Sequence, residues 1–91
     1  MFYVGLDLGK MRDLSAWAVV ERDHWGVLCV RHLERAALGT PYLVVVKRVA
    51  DLTLRPALNG RCHLTVDATG VGIPVIESLR AAQSGWRGMT G

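Results

Sequence analysis

Apolar and polar positions alternate with a period of two in several short blocks of the chain and switch to a helical period in two others. Phe2 to Gly9 is an apolar run interrupted by Asp7; as a strand it places Tyr3, Gly5 and Asp7 on one face and Val4, Leu6 and Leu8 on the other. Gly9-Lys10-Met11-Arg12-Asp13 has turn and charge character, and Leu14 to Glu21 alternates as a second strand. Arg22 to Gly26 closes a hairpin onto a third strand, Val27 to Glu34, which must run antiparallel because so short a loop cannot make a crossover. Trp17 reads as core, Trp25 as hairpin packing and Trp86 as an anchor for the tail.

Thr40-Pro41 has the form of a helix start, with Thr40 as N-cap and Pro41 in the first helical position. The β-branched run Val44-Val45-Val46 argues for a strand, but the spacing of Leu43, Val46, Val49, Ala50, Leu52 and Leu54 predicts a helix, ended by Pro56 and Asn59-Gly60. Arg61 to Asp67 is a fourth strand, Ala68 to Gly72 a glycine turn, and Pro74 to Ala82 a second helix. The tail from Gln83 to Gly91 has little periodicity. The expected fold is therefore α/β, with elements in the order β-β-β-α-β-α, strands 1–3 antiparallel and strand 4 parallel to strand 1 through a right-handed crossover.

Composition narrows the class. Half of the 91 residues are hydrophobic (51%), yet no apolar run is long enough to span a bilayer, and Phe2 to Leu8 is too short for a signal peptide, so a cytoplasmic protein is expected. No repeat, low-complexity tract or linker divides the chain. Eleven Lys and Arg against eight acids give a formal charge of +3, compatible with a phosphate-rich partner and equally with an ordinary solvated surface. Cys29 and Cys62 form no CxxC pair and read as free core thiols.

The chemistry lies in the carboxylates. If strands 1 and 4 are parallel neighbours about 4.8 Å apart, Asp7 and Asp67 meet at the C-terminal edge of the sheet, where open α/β sheets place their ligands. Two carboxylates so close repel unless a cation lies between them, and Mg²⁺ takes such oxygen donors together with water and substrate phosphate. Gly9 and Gly70 would let the backbone turn beside the acids, and the amides around Gly70 to Gly72, at a helix start, could face a phosphate. Lys10 and Arg12 are placed to meet a phosphate backbone, or to sit in a solvated loop. Asp13 is a further candidate ligand or a loop cap; Glu77 reads as solvent-facing, and His24, His32 and His63 show no ligand spacing. An aspartate that closes a strand before a glycine is also common turn chemistry.

Two segments carry a family resemblance: Val4-Gly5-Leu6-Asp7-Leu8-Gly9, followed by an alternating strand, and Val66-Asp67-Ala68-Thr69-Gly70-Val71-Gly72-Ile73-Pro74-Val75. Together they resemble the nuclease domain of bacteriophage terminase large subunits, in the ribonuclease H-like superfamily, over about residues 2–82. The resemblance implies a Mg²⁺- or Mn²⁺-dependent DNA endonuclease that cuts double-stranded DNA during genome packaging, with Asp7 and Asp67 as metal-binding catalytic acids. It also implies other phage packaging proteins as partners, and a phage or prophage origin in a bacterial cytoplasm. The family places a third acid beyond a further strand, and Met89-Thr90-Gly91 reads as the approach to that strand. Residues 1–91 are thus expected to form one incomplete nuclease domain, its fourth strand an exposed edge open to a second copy. No GxxxxGK[ST] motor motif occurs. Two alternatives stay open. One is a catalytically inactive prophage fragment used for binding or assembly; the other is an actin- or sugar-kinase-like nucleotide-binding fragment, since Gly5 to Gly9 also resembles that superfamily's first phosphate loop.

Overall fold

The computed structural model describes residues 1–10, 13–83 and 85–91. Five strands and two helices follow one another as β1 (Phe2–Asp7), β2 (Ala16–Arg22), β3 (Leu28–Arg35), α1 (Tyr42–Thr53), β4 (Cys62–Asp67), α2 (Ile73–Ala81) and β5 (Trp86–Thr90). They form one mixed sheet in the order β3-β2-β1-β4-β5. β1 pairs antiparallel with β2 and parallel with β4, and β2 pairs antiparallel with β3, as the alternation and the crossover rule require.

Side chains divide cleanly across the sheet. Val4, Leu6, Val19, Leu64 and Val66 are buried under the two helices, against Val45, Val49 and Leu79. Each such side chain removed from water contributes about 1.5–3 kcal/mol, enough for burial to override the poor helix propensity of Val44-Val45-Val46. Asp23 organises the β2–β3 turn: its Oδ1 accepts from the backbone N–H groups of Trp25 and Val27, both at 2.9 Å.

Four sequence expectations are corrected. Helix α1 begins one residue late: Pro41 is the N-cap, at ψ 144°, while the Thr40 hydroxyl turns back to donate to the Ala37 carbonyl at 2.6 Å and so cannot cap the helix. Trp25 does not pack into the hairpin; it lies beside His24 with ring centroids 3.7 Å apart and is 80% exposed. Cys62 is fully buried, but Cys29 is only half-buried, because β3 lies at the margin of the helical layer.

The fourth correction concerns the tail. Trp86–Thr90 forms β5, parallel to β4, so β4 is flanked on both sides and the sheet edges are β3 and β5. An association of two copies through an exposed fourth-strand edge is thereby removed. The strand forms because Trp86 is buried to 3% exposure in the common core and Met89 packs against the same cluster. Among the described residues, no helix is long and apolar enough to cross a membrane.

Candidate metal centre at the sheet edge

Asp7 and Asp67 are the last residues of β1 and β4 and are direct partners in the parallel register. The ladder continues past them, since the Leu8 N–H donates to the Asp67 carbonyl at 3.0 Å. Both side chains lie on the face opposite the helices and are exposed. They border a groove of about 340 Å³ whose wall is Asp7, Asp67 and Thr65 on one side and Ala16, Ala18 and Leu33 on the other.

The two acids are held differently. Asp67 Oδ1 accepts from the Thr69 hydroxyl at 2.7 Å and from the Thr69 backbone N–H at 3.0 Å. The hydroxyl first, and the amide second, hold the Asp67 carboxyl below its ordinary range, because both stabilise the ionised form. Beside Asp7, the loop after β1 is fixed through Gly9: its N–H donates to Ser15 Oγ at 3.1 Å and its carbonyl accepts from Tyr42 Oη at 2.6 Å. Ser15 and Tyr42, which bond Gly9, carry no motif of their own; Thr69 stands inside the Val66–Val75 segment and is legible as a hydroxyl two residues after an aspartate.

With that geometry in view, the resemblances to solved structures become interpretable. The large terminase nuclease from thermophilic phage G20c, solved with bound cobalt, matches all of this chain (100%) at a TM-score of 0.70 and 25% identity. The same nuclease with bound magnesium matches 99% of the chain at a TM-score of 0.70 and 27% identity. Thermus thermophilus RuvC matches 90% of the chain at a TM-score of 0.50 and 19% identity, a likeness of fold alone.

The fold is ribonuclease H-like.

The chain resembles the phage terminase nucleases in structure, and it spans 44% of the length of those nuclease chains and 52% of the RuvC chain. No protein-family model matches it, and no curated protein sequence matches it significantly. Within this ribonuclease H-like sheet the other candidate residues separate into groups. Lys10 lies across the Gly70 turn: Gly70 adopts φ 76°, and a Cβ there would overlap Lys10 Cε, with Nζ 2.7 Å away. Glycine suits that position for its conformation, since the end of the flexible Lys10 side chain could move aside. Gly9 is different, because it has no positive φ; a side chain is excluded there by the Asp13 backbone carbonyl. Gly72 is the N-cap residue of α2, with Ile73 first in the helix and Pro74 second.

Asp13 is not brought to the pair. It shares a second groove, of about 240 Å³, with Lys10, Ser15 and Tyr42. Glu77 is exposed, as expected, and Arg12 lies outside the described residues. Among the described residues, no three His, Cys, Asp or Glu side chains gather as a cation site. The pair nonetheless fits a small divalent ion: two hard oxygen donors, open to solvent and a strand spacing apart, are what Mg²⁺ or Mn²⁺ commonly takes from a protein, with water and phosphate filling the other positions.

Proposed function

We propose that the chain is a metal-dependent DNA endonuclease domain of the terminase type, acting on double-stranded DNA. The observation that carries this reading is the in-register pairing of Asp7 with Asp67 at the C-terminal edge of a ribonuclease H-like sheet. The likeness to cobalt- and magnesium-bound terminase nucleases supports it. The reading takes residues 1–91 as one domain, in a phage- or prophage-encoded protein of the bacterial cytoplasm that works with other packaging proteins.

Asp7 and Asp67 would hold Mg²⁺ or Mn²⁺, which when bound supplies Lewis-acid stabilisation and a more acidic water for phosphodiester hydrolysis. The chain's own groups do the rest. The Thr69 hydroxyl and backbone N–H favour the ionised form of the Asp67 carboxyl, the form that would take a cation. Lys10, laid over Gly70, sets a positive charge beside the acids for a DNA phosphate, and the turn from Gly70 to Gly72 leads into the positive end of α2. Arg12, two residues further along the sequence, would add a second phosphate contact.

The test is nicking of supercoiled plasmid with Mn²⁺. Asp7→Asn and Asp67→Asn should each lower the rate by at least about 100-fold, the scale of losing one transition-state charge stabiliser. Cutting that both substitutions leave intact would sink the assignment, as would tight ATP binding with no cutting. A second reading, a module that binds DNA and metal for assembly without hydrolysis, is favoured by one observation: among the described residues the acids converge as a pair and not as a larger set. Metal binding without nicking would select it.

A further inference from the structure

We infer that Thr69 is a positioning residue that fixes the Asp67 carboxylate so that only Oδ2 is free to take a cation. This rests on the metal-site reading and goes beyond it, by assigning a role to a residue that is not itself a ligand. The Thr69 hydroxyl and backbone N–H converge on one oxygen, Oδ1, at 2.7 and 3.0 Å. A carboxylate oxygen has about two lone-pair directions, so Oδ1 is saturated. Among the described residues, Oδ2 receives no hydrogen bond from any side chain or backbone group.

The arrangement has a chemical consequence. A carboxylate pinned through one oxygen offers the other as a single ligand, the mode suited to the small octahedral shell of Mg²⁺ or Mn²⁺. Ca²⁺, with its larger and looser shell, readily takes both oxygens of one carboxylate. Thr69 therefore acts as a selector for small cations. Its backbone is placed to do so by the turn in which Gly70 takes φ 76°, so the carboxylate, the hydroxyl and the glycine lie together at the end of β4. Thr69 is exposed and lies outside the core cluster, which separates this role from a contribution to packing.

The experiment uses the 91-residue protein and reads cation binding directly, by electron paramagnetic resonance of free Mn²⁺ and by competition with Mg²⁺ and with Ca²⁺. Thr69→Val keeps the shape and the amide and removes the hydroxyl. It should weaken Mn²⁺ binding about 10-fold, the lower end of what second-layer partners of metal ligands are worth. It should also raise the preference for Ca²⁺ over Mg²⁺, because Oδ1, left with the amide bond alone, has a lone pair free to join Oδ2 as a ligand. Thr69→Ser restores the hydroxyl and should return both quantities to near the original values. Unchanged Mn²⁺ affinity and unchanged Ca²⁺ preference in Thr69→Val would overturn the inference while leaving the site intact. Mn²⁺ binding in the original protein that survives both Asp7→Asn and Asp67→Asn would instead overturn the site reading, and this inference with it.

Discussion

Gly70 shows how much one residue can carry. Its φ of 76° lies where an L side chain costs about 1–2 kcal/mol, and the space a Cβ would enter is held by the end of the Lys10 side chain. Lys10 is flexible and can swing aside, so the larger cost is the backbone. Gly70→Ala is expected to destabilise the protein by about 1–2 kcal/mol in urea denaturation and, by displacing Lys10, to weaken DNA binding at low salt. A stability within experimental error of the original would refute the conformational argument. At this scale the sequence was informative about Asp7 and Asp67, whose strand positions alone implied a meeting. It was silent about Tyr42 and Ser15, because a hydroxyl that reaches Gly9 from across the fold leaves no local pattern. Asp13, for which the sequence leaves a ligand and a loop cap open, lines the neighbouring groove.

Among the elements, β1 and β4 were legible because each alternates strictly and each ends at its acid. Strand β5 was not. Its five residues include Gly88 and meet β4 through a register irregularity between Cys62 and Leu64, which erases the period-two signal. Burial of Trp86 is what fixes the strand, a tertiary effect that outweighs local propensity. Trp86→Ala should therefore cost about 3–5 kcal/mol, measurable as a drop in the urea midpoint, with loss of amide protection concentrated in β5. A small loss would mean that the strand is held by its ladder alone. The buried stripe of α1 is legible in the sequence and its start is not, since the stripe depends on many residues and the cap on one.

For the molecule as a whole, both helices lie on one face of the sheet and leave the other open. Leu28, Val30 and Leu33 of β3 are 63%, 67% and 74% exposed on that face, beside Ala18 and Val20 of β2. Strict alternation within β3 would put Leu33 on the face opposite Leu28 and Val30. The bulge opposite Val19 and Val20 and the one-sided helical layer send Cys29 and His32 toward the covered side instead. An apolar field of this kind should bind 8-anilinonaphthalene-1-sulfonate in the folded state, with enhanced fluorescence under conditions where the urea transition remains cooperative. Val30→Thr combined with Leu33→Thr should reduce that fluorescence without lowering the midpoint appreciably, because neither side chain belongs to the buried cluster. Equal fluorescence in the double variant would place the dye elsewhere.

The fifth strand also bears on time. With β5 beside β4, and β2 beside β1, both strands that end in an acid are interior strands of the sheet. Interior strands open last, and often only when the whole domain unfolds, whereas edges and loops open on their own at far smaller cost. The spacing between Asp7 and Asp67 is then not something the protein must re-establish from one encounter to the next. It persists for as long as the fold does, so that a cation held there, as proposed, would meet two carboxylates already side by side.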